Sequence, residues 1–148
     1  MRKSKINISG FKIGTAENRE GLTGVTVILA PDGGATAGVD VRGCAPGTRE
    51  TDLLDPRKTV QKIHAVVLSG GSAFGLEAAS GCVKYLAEQG VGFPIGNVCV
   101  PIVCSAVLFD LMIGDEKAYP DLLMGYEAAK SASSEFLSGC NGAGTGAT

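Results

Sequence analysis

Residues 63–76 constrain this chain more than any other stretch. They read Ile63-His64-Ala65-Val66-Val67-Leu68-Ser69-Gly70-Gly71-Ser72-Ala73-Phe74-Gly75-Leu76. Val66, Val67 and Leu68 form a short apolar run with β-branched residues, as a buried strand requires. Ser69, Gly70, Gly71 and Ser72 then make a turn whose glycines can take positive φ and admit a close backbone approach. Ser72 is placed to cap a helix over 73–89, with Ala78, Ala79, Cys82, Val83 and Leu86 recurring on one face. Gly90 stops it. Strand, tight turn and helix in succession predict an α/β arrangement. They also predict free N–H groups at the helix start, suited to a phosphate, a carboxylate or a developing oxyanion. Two nucleotide readings are excluded. No Gly-Lys-Ser/Thr ends the turn, and glycines 70, 71 and 75 miss the dinucleotide spacing. A plain packing turn and an anion site both remain open.

The rest of the composition narrows the class. With 148 residues the chain can build one domain with a real core. Its 22 glycines are scattered without a period, so they mark turns and close contacts. Mean hydropathy is +0.22 and 19% of residues are charged. That is apolar for a soluble monomer and implies that much of its surface is covered by partners or further chain. A net charge of −2 gives no footprint for nucleic acid or an anionic membrane. No apolar run reaches the ~18 residues of a membrane span. The basic start Met1-Arg2-Lys3-Ser4-Lys5 is followed by no apolar segment of a signal peptide. The five cysteines (44, 82, 99, 104 and 140) contain no C-x-x-C pair. They read as free thiols in a reducing cytoplasm rather than disulfides or a zinc site. His64 abuts the strand and has no second histidine to pair with, so it reads as a hydrogen-bonded core residue.

Taken in order, 5–9 reads as a first strand and 15–20 as a polar loop. Residues 24–29 read as a strand that pairs with 35–41 through the Pro31-Asp32-Gly33-Gly34 turn. Residues 42–56 are irregular and hold two arginines in a charge-poor chain. They are either a solvated loop with weak local ion pairs or a pocket wall with Arg42 or Arg49 clamping a carboxylate. Residues 98–104 read as a strand with an edge or bulge at Pro101, and 106–113 is ambiguous between strand and helix. Pro120 opens a helix to about residue 137, with Leu122, Leu123, Tyr126, Ala129, Ala132 and Phe136 inward.

Four motifs in order carry more weight than any one of them. They are Ala37-Gly38-Val39-Asp40-Val41-Arg42-Gly43, Pro46-Gly47-Thr48-Arg49-Glu50-Thr51-Asp52-Leu53-Leu54, residues 65–76, and Gly142-Ala143-Gly144-Thr145-Gly146-Ala147-Thr148. Together they resemble the L-aminopeptidase/D-esterase family, which includes β-peptidyl aminopeptidases and the nylon-oligomer hydrolase. The resemblance implies an αββα sandwich, two sheets between helical layers, assembled as a homo-oligomer. It implies a precursor that cuts itself before a Ser or Thr, whose hydroxyl becomes the nucleophile and whose α-amine acts as base. An Asn and neighbouring donors would hold the oxyanion. An acetyltransferase family shares the architecture, so fold alone does not fix the reaction.

The resemblance places the nucleophile, an assisting Lys and the oxyanion Asn after the Gly142–Thr145 motif. The expectation is therefore an N-terminal, α-subunit-like portion (1–148) of one peptidase domain, with its catalytic residues beyond this chain. Thr145 is not taken as the nucleophile, because cleavage behind Gly144 would free only four residues. Arg42, Arg49, Glu50, Ser69, Gly70, Gly71, Ser72, Gly142, Ala143, Gly144 and Thr145 are the candidates for binding or shaping the pocket. The expected substrate is a small peptide or linear amide, with no metal or organic cofactor, in the cytoplasm. The other readings are a stand-alone anion- or small-ligand-binding module and an acyltransferase.

Overall fold

The computed structural model describes residues 2–147. Its centre is a five-stranded sheet in the order β2-β3-β5-β8-β4. Those strands are β2 (Lys12–Asn18), β3 (Thr23–Leu29), β4 (Thr48–Arg49), β5 (Ala65–Ser69) and β8 (Val103–Val107). β5 and β8 run parallel, and the crossover between them carries helix α1 (Ala78–Glu88). A ribbon of β6 (Phe93–Ile95) and β7 (Val98–Val100) lies on the same crossover. Helix α2 (Leu122–Lys130) follows, and β1 (Arg2–Lys5) pairs with β9 (Glu135–Ser138) in a second small ribbon.

Strand alternation decides where the core sits. Val25, Val27, Val67 and Val103 point to one face and are fully buried under Ala78, Ala79, Cys82 and Leu86 of α1 and Ala128 and Ala129 of α2. The helices use small residues to come close. A Cβ on Gly81 would strike the Leu122 carbonyl, and one on Gly125 the Ala78 carbonyl. The opposite face presents Ile13, Ile28, Val66, Leu68 and Ala106, none of them fully buried.

The strand of 63–68 and the β3 strand form as the residues predict, and the helix after 63–68 is α-helical over Ala78–Glu88 only, its expected first turn being 3-10. Several other expectations are corrected. Residues 15–20 are not a loop: most belong to β2, which pairs with β3 from Lys12↔Leu29 to Asn18↔Thr23. β2 and β5 thus occupy both edges of β3, and residues 35–41 have no edge to join. Only Ala35 bridges, to Ile63. Residues 98–104 are two strands, with Pro101 and Ile102 between β7 and β8. Helix α2 stops at Lys130 rather than 137. Ser131 Oγ turns back to the Ala128 carbonyl at 3.0 Å, Ser133 bridges Ile13, and the following strand is claimed by β1. Its cap is Asp121, whose side chain accepts the Met124 amide at 2.8 Å, and both Leu122 and Leu123 are exposed rather than inward. The first strand covers 2–5 rather than 5–9.

Candidate active site

The Gly-Gly turn leaves the carboxyl end of β5, the usual place for a site on parallel strands. Gly71 takes positive φ as expected (+79°), whereas Ser72, expected as a helix cap, also lies at positive φ (+52°), where a side chain is strained. Ser72 does not cap the helix by its side chain. Gly71 holds the cap position of a 3-10 stretch, Ser72–Glu77, and α1 begins only at Ala78. The amides of the turn are not free either. Gly70 N–H donates to the Gly24 carbonyl at 2.9 Å, Ser72 N–H to Leu108 at 3.0 Å, and Gly71 N–H to Asp110 Oδ1 at 2.6 Å. The expected anion cradle is thus already filled by the protein's own groups.

Asp110 organises the cluster. It is 2% exposed, and no Lys or Arg pairs with it among the described residues. Its Oδ2 accepts the Thr23 hydroxyl at 2.8 Å. A Cβ on Gly70 would run into that same oxygen and into Thr23 Oγ1. A Cβ on Gly146 would come within 2.8 Å of Asp110 Oδ2. Gly70 and Gly146, one from each glycine-rich motif and 76 positions apart in sequence, therefore lie against one carboxyl group.

The second motif crosses the sheet face opposite the helices. Ala143 N–H donates to Thr26 Oγ1 at 3.1 Å, and Asn141 Nδ2 donates to Thr15 Oγ1 at 2.7 Å. Gly142 takes φ +57°, and a Cβ there would strike Thr26. Arg19 reaches both Glu17, at 2.5 Å, and Asn141 Oδ1, at 3.3 Å. Gly144 N–H returns to the Asn141 carbonyl at 3.1 Å. Thr145 Oγ1 is enclosed without a hydrogen-bond partner, as is Ser105 Oγ. Ser69 Oγ donates to the Gly70 carbonyl at 3.1 Å. Outside the turn, Phe74 stacks on Tyr119 with ring centroids 4.6 Å apart, and Phe74, Phe109 and Met112, all close to Asp110 or the turn in sequence, are exposed.

The loop candidates are not part of this cluster. Arg49 lies in β4, and its guanidinium donates to Ser80 Oγ of α1 at 2.7 Å. Glu50 has φ +59°, accepts the Cys104 thiol on its carbonyl at 3.3 Å, and lines a surface cleft with Thr48, Thr51, Asp52 and Lys58. Arg42 is highly exposed and pairs with Asp40 at 2.6 Å. The structure thus joins Ser69, Gly70, Gly71 and Ser72 to Gly142, Ala143, Gly144 and Thr145, and leaves Arg42, Arg49 and Glu50 apart from them.

Asp110, Thr23, Asn141 and Thr15 escaped the sequence reading. Asp110 had one available signal, a lone acid between Phe109 and Leu111 in an apolar run. The thiols offer no alternative nucleophile inside the fold. Burial pushes Cys82 up to about 12, and burial with the Glu50 carboxylate pushes Cys104 up to about 11. All five cysteines are free. Among the described residues no group of three His, Cys, Asp or Glu is placed to hold a metal ion. None of the described helices is long and apolar enough to cross a membrane.

Comparison with known proteins agrees with this architecture. The profile of peptidase family S58 matches residues 5–148. An uncharacterized aminopeptidase of Mycobacterium tuberculosis is 48% identical over 121 residues, covering 82% of this chain and 35% of its own length. A 6-aminohexanoate-oligomer endohydrolase of an Agromyces species is 36% identical over 145 residues, covering 97% of this chain and 38% of its own. The chain therefore spans less than half the length of these relatives. In three dimensions it resembles the PH0078 protein of Pyrococcus horikoshii OT3, with a TM-score of 0.76 at 22% identity over 95% of this chain and 44% of that one. Motif order, sheet architecture and profile agree: the chain belongs to peptidase family S58.

Proposed function

We propose that this chain is the N-terminal portion of a self-processing aminopeptidase or amidase. Its reaction is hydrolysis of small peptides or linear amides. The nucleophile is an N-terminal Ser or Thr supplied from outside these 148 residues, with its own α-amine as base. The observation that carries this reading is the convergence of both glycine motifs on Asp110, in a member of a peptidase family. Asp110 would hold the Gly70–Gly71 turn rigid, and the backbone beside Gly146 would be kept close by the absence of side chains. Such a wall suits close approach of a substrate backbone. Exposed Phe74, beside the turn and stacked on Tyr119, suits the apolar part of an acyl group. Thr145 fits the nucleophile's role poorly, since its hydroxyl is enclosed and no base bonds to it. The protein would work in the cytoplasm as a homo-oligomer, with no metal or organic cofactor.

The test uses a chain extended to the length of the relatives. Mass spectrometry is expected to find two fragments, the second beginning with Ser or Thr. The processed protein should hydrolyse amino-acid p-nitroanilides or 6-aminohexanoate oligomers. Replacing that first Ser or Thr by Ala should block both events. An uncut protein that still turns over these amides would overturn the reading.

A further inference from the structure

A second cavity lies at the opposite end of β5. It holds about 360 Å³ and is bounded by Gly33, Thr59, Lys62, His64, Phe93 and Pro94, among others. The path along β5 from His64 to Gly70 is about 20 Å, so this cavity is separate from the Asp110 cluster.

His64 gives it chemistry. The residue is 5% exposed. Its backbone is fixed on both sides: its N–H donates to the Ile102 carbonyl at 2.8 Å, and its carbonyl accepts Ala30 N–H at 2.9 Å. The Ile102 amide donates to Nδ1 at 3.1 Å. A backbone N–H can donate only to a lone pair, so Nδ1 carries no proton and the neutral ring is protonated at Nε2. Burial favours that neutral ring, holding the His64 pKa below its ordinary value. Nε2–H has no protein acceptor among the described residues. Nε2 is not fully enclosed, so its N–H faces the cavity and is available to an acceptor bound there.

The rest of the lining fixes what kind of acceptor fits. No carboxylate lines the cavity, and Lys62 stands at it without an ion pair among the described residues. Thr59 adds a hydroxyl. Phe93 and Pro94 supply an apolar wall. Gln61 also lines it, its NH2 turned to the Pro56 and Lys58 carbonyls, so one cation and two neutral donors beside apolar surface favour an anion with a hydrocarbon body. We propose that this cavity binds a small carboxylate carrying an apolar ring or chain, with one carboxylate oxygen on His64 Nε2–H and Lys62 adding its charge.

Benzoate is the probe, and benzamide its neutral counterpart of the same shape. His64→Asn is the discriminating variant. Asn Oδ1 can replace Nδ1 as acceptor for the Ile102 amide, while nothing replaces Nε2–H. Lys62→Gln tests the charge at an exposed position whose loss does not threaten folding. In ¹⁵N-histidine-labelled protein, the signal lost in His64→Asn identifies the His64 ring. It is expected to show the Nε2–H form and to shift progressively with benzoate. Calorimetry is expected to show at least about tenfold weaker benzoate binding in His64→Asn, the usual scale for a hydrogen bond to a charged group. Lys62→Gln should weaken it several-fold and reduce its salt dependence. Benzamide binding as tightly as benzoate would overturn the proposal. So would an imidazole signal indifferent to benzoate, or undiminished affinity in both variants.

Discussion

Asp110 accepts the Gly71 amide at 2.6 Å from 39 residues away, and this bond joins the turn after β5 to the loop after β8. The second oxygen of the same carboxyl takes the Thr23 hydroxyl. Both oxygens are thus spent on donors that water cannot reach.

Removing that acceptor should be felt at once. Asp110→Ala strands two buried donors, each costing roughly 1–3 kcal/mol, so a loss of about 3 kcal/mol is expected. Asp110→Asn keeps one acceptor oxygen and should lose only about 1 kcal/mol. Urea unfolding compares the two. Equal midpoints for Asp110→Ala and the unaltered chain would show that the bond does not hold the turn.

Glycines whose backbone touches another element should differ from glycines in open space. A Cβ on Gly125 meets the Ala78 carbonyl, whereas one on Gly38 meets nothing within 4 Å. Gly125→Ala is expected to cost about 1–3 kcal/mol or more by overpacking α1 against α2, and Gly38→Ala to stay within about 0.5 kcal/mol. Thermal melts decide it. A tolerated Gly125→Ala would mean that the helices have room to part.

This contrast also shows what the sequence could and could not disclose. The β5 strand, its turn and α1 were legible because each is written in local periodicity and turn chemistry. The four motifs were legible as a set. Register was not. Which strand takes which edge of β3 depends on competition between β2, β5 and residues 35–41, and only the folded sheet settles that. Likewise Ser131, Ser133 and the strand after them continue a helical pattern until pairing with β2 and β1 claims them. At the site, the glycines announced a close approach, but the group approached, Asp110, lies on a distant loop. The arginine-bearing loop looked chemical because charge is rare in this chain. Its Arg49 instead fastens β4 to α1 through Ser80.

The thiols should divide by environment. Cys44, Cys99 and Cys140 are exposed, and Cys82 and Cys104 are buried. The buried pair is also pushed to about 12 and about 11, so thiolate is scarce at neutral pH. Alkylation of the native protein should label the first three only, and denaturant should release all five. Native labelling of Cys82 would place it outside the core.

His64 should make stability depend on pH in one direction. Burial lowers its folded pKa below the ordinary 6.5. Between the two values the unfolded chain binds more protons than the folded one, so stability rises with pH there. The contribution is complete above 6.5 and is lost as pH falls through that value toward the folded pKa. His64→Asn should flatten this slope in urea titrations between about pH 5 and 7, above the carboxylate range. An unchanged slope would assign it to other groups.

The bare sheet face makes the last prediction. Ile28, Val66 and Leu68 alternate with the core valines and so point away from both helices, with Leu68 39% exposed. The Gly142–Thr145 segment covers only the Thr15 and Thr26 end of that face. A contiguous apolar patch on a sheet is a site of association. Each uncovered aliphatic side chain forgoes roughly 1.5–3 kcal/mol of burial, against a net domain stability of about 5–15 kcal/mol. The 148-residue chain expressed alone is therefore expected to bind a hydrophobic dye and to sediment as oligomers or aggregate. Leu68→Thr keeps β-propensity while removing apolar surface. It should lower dye binding and shift sedimentation toward monomer without lowering the melting temperature. A monodisperse, dye-silent monomer of the unaltered chain, melting in one cooperative step, would show that this face needs no cover.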